Sequence, residues 1–294
     1  MSDGATSADK TNPRVKAIVE DLVDAVSDVF DRHDVTFEEY RAGFFHVIKT
    51  GQAGELGLLM DMLLCQRVCD IEMKHRRGTR SNVEGPYYLP DAPFVEDAVK
   101  VRGDAEPLRI QGTVRDLDGK PVPDVEVDLW WSDPEGRYSG YTDDFPKEYF
   151  RCRTKTDDAG KYSVLGSLPR EYPITKERHG PTGGLVEMLG RQGMRTMHVH
   201  QKYRKEGFLP LTTQAYFEGA RYLDADPVTA VFDDLTHKLD ESGEVPVPEG
   251  RRTPHRGTSA GSGLRPPGRA RCRYPVPAPR RSRRVCASGR RTRR

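Results

Sequence analysis

The feature that most restricts the fold is a change of hydrophobic period near residue 107. Before it, apolar residues recur every three or four positions, and after it they alternate. Asn12-Pro13 supplies a cap and a proline at the first helical position, and Val15, Ile18, Val19, Leu22, Val23, Val26, Val29 and Phe30 follow at helical spacing. One helix is therefore predicted over about 13 to 32. Thr36 and Glu39 have capping-box spacing for a second helix, and a third runs through Leu56, Leu59, Met60, Leu63, Leu64, Val68 and Ile71. Faces this apolar must pack on one another and on a partner, either the next domain or a second copy of the chain.

In the second half Ile110, Gly112 and Val114 alternate, Asp118-Gly119 supplies a turn, and Val125, Val127, Leu129 and Trp131 alternate again. The pattern predicts a hairpin. Strands at about 148–156 and 161–168, around a turn at Asp157 to Gly160, repeat it, and a loop-rich stretch over 169–193 follows. The expectation is an α+β chain with a helical N-terminal region and linker (1–100), an antiparallel β-sandwich (101–250) and a tail (251–294).

Charge separates the tail from the rest. Residues 251–294 carry 15 Arg and no acidic residue, whereas the first 250 hold 32 Lys and Arg against 45 Asp and Glu. An acidic body argues against a nucleic-acid-binding core. The tail shows no period and is expected to be disordered. It reads either as a polybasic tail or as GC-rich sequence translated out of frame, the latter because it lacks lysine and interleaved aromatics. Neither a membrane-length apolar run nor a secretory leader is visible, so the expected location is the cytoplasm. Five cysteines without framework spacing are expected to be reduced.

Chemistry concentrates in MRTMHVHQKY, residues 194–203. On a strand His198 and His200 share one face, close enough to bind one ion, although two histidines hydrogen-bonded in a wet edge strand have the same spacing. A zinc hydrolase needs a further ligand in HExxH spacing, and none is present. A cupin-like iron site wants a glutamate three or four residues past the second His, and the nearest, Glu206, lies too far along. Phenolate ligands are the third completion, and they favour a hard trivalent cation.

The segments GPYYLPDAP (85–93), GTVRDLDGKPVPDVEVDLWWSDPEGRYSGY (112–141), YFRCRTKTDDAGKYSVLGSLPREYP (149–173), MLGRQGMRTMHVH (188–200) and LTTQ (211–214) together resemble the intradiol ring-cleavage dioxygenases, in the branch acting on catechol and hydroxyquinol. The resemblance implies a non-haem Fe(III) site held by Tyr138, Tyr172, His198 and His200, with Tyr138 and His198 equatorial and Tyr172 displaced when the diol binds. It implies that Arg195 stabilises negative charge on the substrate ring, and that Val83, Pro86, Tyr87 and Gln214 line the substrate pocket, while Tyr88, Trp130 and Trp131 read as core. It further implies O2 as co-substrate, a muconate-type diacid as product, and a homodimer through the N-terminal helices with phospholipid in the interface. A larger aromatic diol, or a binding module without activity, are the rival readings. Thr196, Met197 and Gln201 stand where relatives carry Pro, Ala and Phe, which is expected to reshape the pocket floor. Relatives end in a core strand of Asp-Phe-Val-Leu type where this chain has the arginine-rich tail, and absence of that strand would leave an edge of the sandwich uncovered and loosen the iron site.

Overall fold

A computed structural model describes residues 11–174 and 180–240, and the backbone of 258–264. Helix α1 (Pro13–His33) starts at Asn12, whose side chain accepts from the Arg14 and Val15 amides. Helix α2 (Phe37–Gln52) starts at the Thr36–Glu39 capping box, with both reciprocal hydrogen bonds formed. The predicted third helix is interrupted: α3 (Leu56–Met60) passes through a π-helical turn at Asp61–Cys65 into α4 (Gln66–Met73). Side-chain spacing cannot reveal such a widened turn, which depends on packing against the rest of the chain.

Three strand groups follow. The first is β10–β1–β4, with β1 (Pro107–Val114) antiparallel to β4 (Lys161–Ser167) and parallel to β10 (Thr258–Leu264). The second has the order β3–β2–β7–β8–β9, built from β3 (Arg151–Lys155), β2 (Glu126–Trp131), β7 (His198–Arg204), β8 (Leu211–Phe217) and β9 (Thr236–His237), the last parallel to β8. A two-stranded ribbon pairs β5 (Tyr172–Pro173) with β6 (Met194–Arg195). The sheets are therefore mixed, where alternation alone predicted antiparallel pairing throughout.

The predicted hairpins do not form. β1 and β2 lie in different sheets, as do β3 and β4, and the Asp118-Gly119 and Asp157–Gly160 turns carry the chain from one sheet to the other. After a single bridge between Arg115 and Pro121, Pro121 and Pro123 have no amide proton to extend a ladder. In the tail, strand β10 was not expected. It occupies a stretch between Arg256 and Arg265 free of charge and proline, and lies along the edge of β1 that a missing terminal strand would expose. The remainder of the tail, with Cys272 and Cys286, lies outside the described residues; Cys65, Cys69 and Cys152 are free thiols.

One core cluster contains side chains of both sheets, among them Leu108, Ile110, Val127, Leu129, Trp131, Val164, Val199, Tyr203 and Phe217. Trp131 is fully buried there and donates from Nε1 to Ser167 Oγ at 3.0 Å. Strand parity then turns the even-numbered residues Trp130, His198, His200, Gln214 and Tyr216 to the opposite face of the five-stranded sheet. That face is covered by the ribbon, by the linker 81–88, and by a second cluster in which Leu59 and Met62 meet Val83, Ile174, Val186 and Val228. Helix α5 (Pro181–Met188) is tied to the helical region by Glu55, whose carboxylate accepts from the Thr182 amide at 2.9 Å at the helix N-terminus. By contrast, α1 buries none of its residues and leaves its apolar stripe open, with Leu22 61% exposed. Among the described residues no helix is long and apolar enough to cross a membrane.

Candidate metal and substrate site

His198 and His200 sit in the middle of the five-stranded sheet because β7 pairs on both sides, Trp130 standing opposite His200 on β2 and Gln214 on β8. Both imidazoles are 1% exposed. His198 Nδ1 lies 2.7 Å from the Thr196 carbonyl, an acceptor only, so this nitrogen carries the proton and Nε2 presents its lone pair. The His200 ring stacks on Trp130 with centroids 4.7 Å apart and planes 4° from parallel. Gly85, at φ 72°, lets the linker cross close to His200: a Cβ there would lie 3.5 Å from its Cε1.

The two tyrosines arrive from elsewhere in the chain. Tyr172 is held by the ribbon, directly opposite Arg195. Tyr138 follows the turn at Asp133–Gly136, and Gly136 has φ 79° with Tyr172 Cβ only 2.9 Å from where its own Cβ would be, so no larger residue admits this approach. Arg151 fixes the loop beyond Tyr138: it donates from Nε to Ser139 Oγ and from Nη2 to the Ser139 carbonyl, both at 2.6 Å, and from Nη1 to the Tyr87 carbonyl at 3.2 Å. Its burial pulls the guanidinium down to about 10.

These segments bring four donor atoms to one point. From His198 Nε2 the distances are 3.1 Å to His200 Nε2, 3.3 Å to Tyr172 Oη and 3.4 Å to Tyr138 Oη. Ligands about 2 Å from one ion, about 90 to 120° apart, stand roughly 2.9 to 3.5 Å from each other, so the four donors suit a common cation. Hydrogen bonding among themselves does not satisfy them. One lone pair on His198 faces two phenols and a second imidazole nitrogen, and His200 Nδ1 is buried without a partner among the described residues. Burial, together with the proximity of Tyr172, raises the Tyr138 phenol well above its ordinary pKa, and burial raises Tyr172 despite the opposing Arg195 charge. A bound cation of high charge reverses this preference, because it stabilises the phenolate.

Burial also drives both histidines well below their ordinary pKa, with the Arg195 charge adding to the effect on each and His198 adding further to that on His200. In the metal-free protein the folded state therefore refuses protons that the unfolded chain accepts below about pH 6.5. Stability is retained above that value and lost as the pH falls through it, by about 1.4 kcal/mol per pH unit for each imidazole. Urea unfolding of metal-free protein between pH 8 and pH 5 is expected to show this loss, and His200→Gln to halve the slope contributed by the pair. A stability flat across that range would contradict the buried neutral pair.

Arg195 is buried and forms no surface ion pair: Nε donates to Asp226 Oδ2 at 2.8 Å and Nη2 to Gln214 Oε1 at 3.1 Å. Burial disfavours its charge, but Asp226, Tyr172 and Tyr216 outweigh that cost and raise its pKa. Gln214 also accepts from Tyr216 Oη at 2.7 Å and donates to the Val83 carbonyl at 2.6 Å. A cleft of about 270 Å³ opens beside Tyr138 and Tyr172, lined also by Tyr87, Gly136, Tyr141 and Pro173, with Glu135, Arg137 and Thr142 completing it. Tyr87 stacks on Tyr138 at 4.3 Å, as a wall for a ring. Of the pocket residues expected from sequence only Tyr87 lines this cleft: Val83 is buried under the helices, Pro86 is exposed and Gln214 stands behind Arg195. Tyr88 is half-buried and packs on Trp130, which with Trp131 is core. The unusual Met197 and Gln201 do not form a pocket floor, because Met197 packs against the inter-sheet core and Gln201 accepts from Tyr203 Oη at 2.6 Å.

Asp226 and Arg151 were not singled out from sequence. Asp226 lies in LDADPV, a loop composition without periodicity, whereas Arg151, a charge within an apolar strand pattern, carried a readable signal.

Residues 83–253 match the family described as Dioxygenase, and residues 12–80 the one described as Catechol dioxygenase N terminus. A chlorocatechol 1,2-dioxygenase from a Pseudomonas species is 40% identical over 238 residues, covering 80% of this chain and 94% of the relative. The crystal structure of chlorocatechol 1,2-dioxygenase from Pseudomonas putida superposes with TM-score 0.78 at 34% identity, covering 87% of this chain and 99% of that one. The structure of a hydroxyquinol 1,2-dioxygenase from Pseudomonas putida superposes with TM-score 0.77 at 27% identity, covering 87% and 93%.

Proposed function

The chain belongs to the intradiol ring-cleavage dioxygenase family, and on that premise we propose that it opens catechol rings with O2 to a muconate-type diacid at an Fe(III) ion held by Tyr138, Tyr172, His198 and His200. The observation that carries the ligand set is the convergence of two phenolic oxygens and two imidazole nitrogens within 3.1 to 3.4 Å of His198 Nε2 or at it. Two phenolates and two neutral imidazoles leave a trivalent ion with one uncompensated charge, which a single hydroxide cancels, so burial is tolerable. When bound, ferric iron supplies Lewis-acid activation of the diolate towards O2.

The residues of this chain do the rest. With the ion bound, Tyr172 Oη would accept one of the diol's two protons and the charge-balancing hydroxide the other, leaving as water. Tyr87 forms the wall on which the ring packs, and the linker that places it is anchored by Gln214 at Val83 and crosses His200 at Gly85, next to Pro86. Arg195 offers fixed positive charge to the negative charge that builds on the ring. Catechol, hydroxyquinol and chlorinated catechols are the substrates favoured, the last because chlorocatechol dioxygenases are among the relatives at 39–40% identity.

The two sheets form a β-sandwich around their shared core, residues 101–250 being the catalytic domain and 1–100 the helical region. The open apolar faces of the N-terminal helices support pairing of two copies, with phospholipid filling the interface, and the dimer works in the cytoplasm. Oxygen uptake by iron-loaded protein is the test. We expect a wine-red protein from phenolate-to-iron charge transfer, and a kcat/KM on catechol or chlorocatechol at least about tenfold above that on protocatechuate. A colourless protein that consumes no O2 with any of these diols, or a colour unaltered in Tyr172→Phe, would overturn the reading.

A further inference from the structure

We propose that Asp226 is the positioning residue for Arg195, holding the guanidinium in the orientation from which it acts on the substrate ring. The inference rests on the dioxygenase reading and adds to it a residue that touches neither ring nor ligands.

The Asp226 carboxylate is 1% exposed and each of its oxygens is used. Oδ2 accepts from Arg195 Nε at 2.8 Å and from the Thr196 amide at 3.1 Å, while Oδ1 accepts from the Val228 amide at 3.0 Å. The two backbone donors fix the carboxylate before it meets the guanidinium, so the ion pair has one geometry rather than several. On the far side Gln214 Oε1 receives Arg195 Nη2, and Gln214 is itself pinned by Tyr216 and the Val83 carbonyl. Arg195 is thus gripped at Nε and Nη2, and its charge bears on Tyr87, Tyr138 and Tyr172. A guanidinium held at two of its three nitrogens is preorganised and loses nothing to reorientation as charge develops. The Asp226 loop reaches this position through Ala230, whose carbonyl accepts from Asn82 Nδ2 at 2.6 Å in the same linker that bears Val83 and Tyr87.

The experiment compares iron-loaded Asp226→Asn, Asp226→Glu, Arg195→Gln and the D226N/R195Q double variant, with iron content and melting temperature measured alongside. If Asp226 acts through Arg195, D226N lowers kcat by about 100-fold with KM moved less than about threefold. In the R195Q background the same change then costs less than about threefold, because the group it orients is gone. D226E keeps the charge but moves it by one methylene, and is expected to lower kcat about tenfold at wild-type iron content; should D226N fail to fold, an unimpaired D226E overturns the proposal. Costs that multiply in the two backgrounds also overturn it, since they mark a merely structural effect. A crystal structure of D226N supplies a readout without turnover: Arg195 is expected to leave Gln214, and an undisplaced guanidinium overturns the inference. An active wild type with an indifferent D226N defeats this proposal alone, whereas a wild type inert towards every diol defeats the reading on which it rests.

Discussion

His198→Ala is expected to reduce bound iron to less than about a tenth of wild type and to lower ring-opening turnover by about 10³-fold or more, equivalent to roughly 4 kcal/mol of barrier. The effect is large because His198 Nε2 is the vertex from which the other three donors are 3.1 to 3.4 Å away. Without it the remaining donors define no common centre, and a cation meets too few ligands to repay its dehydration. The loss does not stop at the metal. The Thr196 carbonyl forfeits the Nδ1 proton, and Tyr138 and Tyr172 are left with buried hydroxyls. Metal-free H198A is therefore expected to lose about 2 to 4 kcal/mol of stability as well. His198→Gln separates the two effects, since it fills most of the volume while offering a poor ligand: it should fold nearly normally and still lack iron. Metal analysis, urea unfolding and oxygen uptake on the same preparations decide the matter, and an H198A protein that keeps its iron would show that the four donors do not share an ion.

Trp131→Ala has the largest expected effect on folding. The side chain is fully buried between the sheets, and its indole edge lies against Gly166, where an added Cβ would come within 2.6 Å of Cζ2. Truncation removes this whole surface and leaves the Ser167 hydroxyl without its indole donor. A cost of about 3 to 5 kcal/mol follows from large-to-small changes of this kind. In a chain of this size that is roughly a 10 °C fall in melting temperature. Since Trp131 pairs with Val199, which lies between the two histidines, the cavity also loosens β7 beneath the site. Calorimetry of W131A measures the first effect and iron retention on mild heating the second; a shift of less than about 2 °C would mean that the sheets are held together elsewhere.

How much of the site was legible differs from residue to residue. His198 and His200 were readable as a pair because two-residue spacing on a strand places side chains on one face whatever the strand pairs with. The partnership of Tyr138 and Tyr172 with them came only from resemblance to a family, since nothing along the chain says that residues 26 to 62 positions away from the histidines return to the same point. Arg195 was legible as a charge near the histidines, but its burial and its anchoring by Asp226 were not. Val83 and Pro86 were assigned to the pocket from resemblance, and neither lines the cleft beside Tyr138 and Tyr172; the linker is oriented by contacts at Ala230, Gln214 and Arg151 that its own sequence does not carry.

The same division holds for the fold. By itself the sequence determined where α1, α2 and the long strands β1 to β4 occur, how α1 and α2 are capped, and which residues of β7 share a face, since propensity, capping and side-chain parity act over a few residues; it did not show α5, which forms within the stretch 169–193 read as loop, nor β10. Only the tertiary structure decided that β1 and β2 part into different sheets, that the third helix widens into a π turn, and that two distant tyrosines, an arginine and an aspartate close around two histidines. Those outcomes depend on which remote surfaces bury one another and which buried polar groups find partners, and such energies belong to pairs of segments rather than to any one of them.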